Sequence, residues 1–481
     1  MSSSELQYIV EMSGQRLLPV PNTGNSIPVA KRLQLLRDKA HAWFSVDIHS
    51  SETVLIARAL RYWEAVIADG HFYLWSELED TATIFPILPK PSQQSIQRKW
   101  LPGTLCSVPD SCNLDVFMDP VQNLIAVAYF FDDTVYISLG ALDSDGVHPQ
   151  AAGERLILSD NSENPPETIA AKLIGLGRHI ALWRTLDNSS LDEQWQLQIW
   201  DWQHSTTSGS ILSGTSDSPL DIRFLGNNQL LVITDNLDIY LIEDMSQMPE
   251  LLACFLMPVP LMSSMLRSLL PTDDIGHSSQ PQIQAQRTMY TSDPTHRLIC
   301  LTTSSSSTDS SSSIQVFIIS TRIFFDLDGM AATPIPWQHW GPSNTRVFQH
   351  PYQSQVHISG NRVLQALPVG TRNSEFILHL MDFSPLAATN RRGLGQVVKE
   401  PSTIYIGDST GRSGESLTTS LPYVQVAFLD RKFDSARSEL RDMWIDKDRI
   451  YILNLDLQPE TFPGDRVFVK RPIVKLEVID V

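Results

Sequence analysis

Between Gly177 and Trp202 the chain reads with a period of two. His179–Trp183 is apolar, an Asp/Asn/Ser-rich turn follows, and Trp195, Leu197, Ile199 and Asp201 then alternate with Gln196, Gln198, Trp200 and Trp202. Alternation on both sides of a polar turn predicts an antiparallel hairpin. The unit returns along the chain. It is seen at Thr53–Ala57 with Tyr62–Val66 and His71–Trp75, at Leu114–Phe117 with Leu124–Phe130 and Val135–Leu139, and at Leu220–Phe224 with Leu230–Ile233 and Ile239–Ile242. It recurs at Arg297–Leu301 with Ile314–Ile319, at Val356–Ile358 with Val363–Leu367 and Phe376–Asp382, and at Val424–Leu429 with Met443–Ile445 and Ile450–Leu455. The connectors carry turn residues, among them Asp69-Gly70, Asp119-Pro120, Gly226-Asn227-Asn228, Gly360-Asn361 and Asp446-Lys447-Asp448.

About seven β units, roughly 40 to 60 residues apart, predict an all-β chain folded as a β-propeller. Six or eight blades follow if Thr53–Trp75 or the long Pro258–Ile319 region is divided differently. The run Leu124–Phe131 is apolar on both faces, as a strand buried between neighbouring blades must be. Closure of the ring removes exposed sheet edges, so part of Val467–Val481, where Val474, Leu476 and Val478 alternate with Lys475 and Glu477, is expected in a closing sheet.

The first residues follow a different period. Ser4–Met12 predicts a short helix with Leu6, Ile9 and Val10 inward. A second helix is expected over Val29–Phe44, started by Ser26-Ile27-Pro28, with Leu33, Leu36, Ala40 and Trp43 on one stripe. The domain reading is therefore a helical N-terminal brace at residues 1–48 and a propeller at 49–481. A Ser-rich loop at 303–313 cannot contribute to a core and is expected on the surface.

Charge narrows the partners. The net charge is −18, so phosphate backbones are repelled and nucleic acid is not an expected partner. The most apolar stretch, Leu251–Met262, is too short to span a bilayer and contains Pro258 and Pro260, so no membrane partner is expected. Four cysteines (Cys106, Cys112, Cys254, Cys300) are too sparse for a disulfide framework and read as buried thiols in a cytoplasmic or nuclear monomer.

Candidate chemistry is thin. The sequence has no Gly-Lys dipeptide for a phosphate-binding loop, no Gly-x-Ser-x-Gly elbow and no His-Glu-x-x-His helix. No catalytic residue, cofactor or metal is therefore expected. Asp132-Asp133, Asp143/Asp145 and Asp273-Asp274 are carboxylate pairs in turn sequences, where Asp satisfies its own backbone. The segment Trp337–Arg346 is the densest group of unusual residues. Trp337, Trp340 and Arg346 are the candidate partner-binding anchors, because Trp and Arg dominate interface hot spots.

Several segments together resemble the F-box-domain proteins of mushroom-forming fungi. Glu5–Glu11 is similar to the segment that follows the F-box in that family, and Ala30–Asp38 through Ala42-Trp43 is similar to its next helix. Trp340-Gly341-Pro342 with Thr345-Arg346, and Leu421-Pro422-Tyr423 followed by Trp444–Ile450, resemble motifs of its later half. The resemblance implies a non-catalytic module: an F-box, expected ahead of residue 1, docks a small adaptor of a cullin-type ubiquitin ligase, and the propeller recruits a protein substrate. The alternatives are a general WD-like scaffold and, from another class, a propeller hydrolase or carbohydrate-binding protein.

Overall fold

In the computed structural model, the described residues are 3–20, 27–56, 63–89, 95–106, 108–109, 111–159, 167–187, 194–215, 221–259, 267–269, 289–305, 313–327, 334–350, 355–369, 375–389, 395–406, 415–434, 438–456, 459–460, 468–469 and 473–481. They form seven antiparallel sheets of four or five strands, the blades of a propeller. Strands are lettered A to D within each blade.

Blade one is Glu64–Ala68, His71–Ser76, Thr81–Pro86 and Arg98–Trp100. Blade two is Cys112–Asp119, Leu124–Phe131, Thr134–Ala141 and Arg155–Ile157. Blade three is Glu167–Leu176, His179–Asp187, Gln194–Asp201 and Ser210–Thr215. Blade four is Asp221–Phe224, Gln229–Ile233, Asn236–Leu241 and Glu250–Leu256, with Pro334–Ile335 added in parallel at its edge. Blade five is Arg267–Leu269, Leu298–Ser305, Ser313–Ser320 and Thr345–His350. Blade six is Val356–Ser359, Arg362–Val369, Glu375–Asp382 and Tyr423–Asp434, extended by Gln396–Val398. Blade seven is Ser438–Ile445, Arg449–Asp456 and Ile473–Asp480, and its fourth strand is Glu52–Ile56 from the other end of the chain.

The ring therefore closes as expected, with Val54 opposite Leu476 and Glu52 opposite Val478. Closure settles the division of the Thr53–Trp75 unit. Its first strand belongs to blade seven and the rest begins blade one. The expected loop at 303–313 is shorter at both ends: Thr303–Ser305 finish strand B of blade five, with Thr303 buried, and Ser313 begins strand C, because the ladder continues to Ser305 opposite Ser313, while residues 306–312 lie outside the described residues.

The core is divided among the seven seams between blades. Trp75, Tyr73 and Trp100 meet Val116, Met118 and Tyr129 between blades one and two. Trp200 and Trp202 face Leu124, Ile137 and Leu156 across the next seam, while Leu197 and Ile199 face Ile222 and Val232 on the other side of the same sheet. The alternation of this strand is thus used on both faces. The remaining seams are filled alike, by Phe255 with Phe317, Leu298 with Val363, Leu380 with Ile450, and Tyr451 with Phe72.

One backbone hydrogen bond repeats in every blade. The residue just after strand C donates its N–H to a carbonyl in the A–B turn: Ile87 to Gly70, Leu142 to Asn123, Trp202 to Arg178, Ile242 to Asn228, Thr321 to Arg297, Phe383 to Asn361 and Val481 to Asp448, at 2.7–3.1 Å. In three blades side chains reinforce it, pairing Arg178 with Asp201, Arg362 with Asp382, and Arg449 with Asp480. Asp201 is the acid of the Trp-Asp dipeptide, so the dipeptide marks the end of a C strand here.

The brace comprises α1 (Ser3–Gly14) and α2 (Val29–Ala42). Pro28, not Ser26, stands at the cap of α2, and Ser26 lies outside the described residues. Leu33, Leu36 and Trp43 are buried as the stripe predicts. Trp43 enters the seam between blades six and seven, with the Arg362 guanidinium 4.7 Å from its ring centre. Lys39 pairs with Asp448 at 2.6 Å, and Leu17–Pro19 pairs with Tyr290–Ser292.

α1 corrects the expectation. Leu6, Ile9 and Val10 are 54, 51 and 63% exposed, whereas Glu11 and Met12 are buried. The reason is the partner helix: Arg37 of α2 holds the Glu11 carboxylate at 2.9 Å, and Arg32 lies over the Tyr8 ring. Those contacts turn the Leu6 stripe to water.

Trp43 outweighs the half-exposed Lys39–Asp448 pair, since such pairs contribute about 0–1 kcal/mol. Trp43→Ala is expected to lower the unfolding free energy by about 3–5 kcal/mol in urea titrations, and Lys39→Ala by no more than about 1 kcal/mol.

Candidate functional site

The three expected anchors are all buried, and only the two tryptophans touch each other. Trp337 and Trp340 lie on α3 (Trp337–Asn344), one turn apart, with ring centres 4.6 Å apart. Trp340 packs edge-on to Phe255 of blade four and Trp337 to Phe317 of blade five. Gly341 is required there, because a Cβ would fall 2.3 Å from the Trp337 ring. Arg346 is the second residue of strand D of blade five. Its Nη1 donates to Glu400 O at 3.0 Å, Ser402 Oγ at 3.2 Å and Thr419 O at 3.1 Å, and its plane lies 5.0 Å from the Tyr423 ring centre.

Exposures of 6, 3 and 1% for Trp337, Trp340 and Arg346 leave no contact area for a partner. The expectation of a binding cluster is therefore corrected. These residues strap the hairpin Ser402–Ile406/Glu415–Thr419, inserted in blade six, onto blades four and five, where Ile404 and Leu417 enter the same core.

A second group of ionisable residues escaped the sequence reading. The A strands of neighbouring blades meet around the axis and carry ionisable groups: Glu64, Asp115, Lys172, Asp221 and Arg223. Asp221 is buried and accepts from Lys172 Nζ at 2.6 Å and pairs with Arg223 Nη2 at 2.8 Å. Asp115 is buried too. One oxygen accepts Val116 N at 2.7 Å, the other Leu173 N of blade three at 2.6 Å. Burial pushes its carboxyl up to about 7, and nearby Glu64 pushes the same way against the two backbone donors. Both oxygens accept from backbone N–H groups, so the carboxyl group links blade two to blade three.

The paired carboxylates of the sequence resolve as turn chemistry where they are described. Asp132 and Asp133 take left-handed backbone angles (φ 49° and 56°), and Asp143 accepts from Asn123 Nδ2 at 2.7 Å. Asp145 pairs with Arg98. Asp273-Asp274 lies outside the described residues. Of the cysteines, Cys106 and Cys300 are buried as expected, Cys254 is half-buried and Cys112 is exposed, because it stands at the first position of its strand. Among the described residues, no group of three or more His, Cys, Asp and Glu side chains is placed to hold a metal ion, and no helix is long and apolar enough to cross a membrane.

Among the described residues, the outward face of α1 exposes Leu6, Ile9 and Val10 at spacing i, i+3, i+4.

No family model and no curated protein matches the sequence. Solved structures are similar at low identity. The uncharacterized protein lmo1340 from Listeria monocytogenes EGD-e is 8% identical with a TM-score of 0.36, covering 84% of this chain and 94% of that one. Polysaccharide lyase Uly1 is 9% identical with a TM-score of 0.31, covering 86% and 89%. The C-terminal WD40 domain of Sif2 is 9% identical with a TM-score of 0.24, covering 65% and 95%.

Arg346→Ala strands the carbonyls of Glu400 and Thr419, and is expected to destabilise the chain by about 2–4 kcal/mol. Hydrogen exchange should accelerate first in the paired strands Ser402–Ile406 and Glu415–Thr419. Asp115 gives a pH signature. Folded, it keeps its proton up to about pH 7, against an ordinary value of 3.8. Folding therefore takes up a proton in this window, and the Asp115 contribution falls as pH rises from about 4 to about 7. Asp115→Asn cannot ionise. Its stability relative to the wild type, measured by urea unfolding, should rise across that window and level off above it.

Proposed function

We propose that the chain is a non-catalytic protein-interaction scaffold, of the kind that forms the substrate-recruiting half of an F-box subunit of a cullin-type ubiquitin ligase. The observation that carries this reading is the inside-out helix α1. A short helix with its glutamate buried and Leu6, Ile9 and Val10 in water offers the face by which one helix receives another. α2, Trp43 and the strand Leu17–Pro19 fix that face to blades five to seven. The helix received there is a helix of the F-box module named by the resemblance, and the propeller's loops, held on rigid blades, take the substrate.

The test supplies an F-box module of the resembled family in trans, with its ligase adaptor, and follows complex formation by size-exclusion chromatography. A stable ternary complex is expected with the wild type and not with the double variant Leu6→Asp/Ile9→Asp. Both positions are exposed, so the variant's unfolding free energy in urea titrations should stay within about 0.5 kcal/mol of the wild type per site. A complex that forms equally with the variant, or no complex with the wild type, removes this reading.

A further inference from the structure

A cleft of about 440 Å³ opens where the end of α1 meets blade five. Arg16, Thr295, His296, Arg322, Phe325 and Asp326 line it. We infer that this cleft binds a phosphate-class oxyanion between the Arg16 and Arg322 guanidinium groups.

The backbone presents Arg16 firmly. The residue sits in the left-handed region (φ 57°) between α1 and the strand Leu17–Pro19, and its carbonyl accepts Asp293 N at 2.9 Å. Its guanidinium has no hydrogen-bond or ion-pair partner among the described residues, although it is half-buried. Burial, and then the nearby Arg322 charge, lowers its proton affinity, with Asp293 opposing. Two guanidinium groups that face one cleft repel each other, and an oxyanion between them reverses the sign of that interaction.

The nearby acids are otherwise engaged. Asp293 Oδ1 takes Thr295 N at 3.0 Å and Thr295 Oγ1 at 2.8 Å, and its Oδ2 lies 2.9 Å from His296 Nδ1. Asp326 reaches Arg322 only at 3.9 Å, and both side chains are exposed. Such a pair contributes about 0–1 kcal/mol and yields readily to a doubly charged ligand. His296 Nδ1 faces Asp293, and burial, then the Arg16 charge, lower its proton affinity, so the two guanidinium groups are the donors of the site. Two planar guanidinium forks can each engage oxygens of one phosphate, whereas a carboxylate has only two oxygens to share between them.

The site is independent of the scaffold reading and is tested on the full chain. Isothermal titration at constant ionic strength uses inorganic phosphate, O-phosphoserine and acetate as probes. Saturable binding of at least one phosphate form is expected, with a matching rise in Tm and with acetate clearly weaker. Binding of both forms marks free phosphate as sufficient, whereas phosphoserine alone marks an esterified group as the ligand. Arg322→Ala and Arg16→Gly should each weaken binding about tenfold or more, the loss of one charge-assisted contact. Arg322 is exposed, and glycine favours the backbone angle of Arg16, so both variants keep the fold. The inference is overturned if acetate binds as well as phosphate, if neither phosphate form saturates with the wild type, or if both variants bind as the wild type does.

Discussion

Each blade must be apolar on both faces, and the rest of the molecule depends on that constraint. A sheet in an ordinary sandwich can leave one face in water. Here each sheet is pressed between two neighbours, and every seam has its own cluster, from Trp75 with Met118 around to Tyr451 with Phe72. No seam can be left open, because an uncovered face would expose a row of large side chains. Glu52–Ile56 supplies that last cover by pairing with Ile473–Asp480. The two ends of the chain are thereby joined, and the brace that precedes Glu52 is fixed in place by the same closure.

The hydrogen bond from the end of strand C to the A–B turn explains how seven unlike sequences form seven like blades. It uses backbone alone, so Gly70, Asn123, Arg178, Asn228, Arg297, Asn361 and Asp448 can all serve as acceptor. Side chains at these turns are then free to vary. Blades three, six and seven add an Arg–Asp pair. Blade two uses Asn123 with Asp143. Blade five places Arg322 directly after the shared bond, where it lines a cleft together with Arg16.

This division accounts for what the sequence disclosed. Period-two alternation reports burial, so the strands, the approximate blade number and the closing role of Val474, Leu476 and Val478 were legible. The faces of Leu197 and Trp200 were legible for the same reason. The role of Trp337, Trp340 and Arg346 was not. Large aromatics and arginine fill cores and interfaces alike, and the carbonyls that hold Arg346 lie 54 and 73 residues further along the chain. The orientation of α1 was hidden by Arg37, which sits 26 residues after Glu11 and draws its carboxylate inward. Asp115 was hidden because its second donor, Leu173 N, belongs to the next blade.

The brace shows how a local rule yields to a distant one. In isolation, α1 would bury Leu6, Ile9 and Val10, the choice that removes most apolar area from water. Docked, its position follows from α2, and that of α2 follows from Trp43 in the seam between blades six and seven. A single Glu11–Arg37 pair is too weak to overcome an apolar stripe unaided. It prevails because α2 has already been placed, so the rotation of α1 costs little further ordering and Met12 still reaches the core. The outward stripe and the inward glutamate are therefore two results of one anchor, and Arg16, which closes α1, is carried into the cleft of blade five by the same anchor.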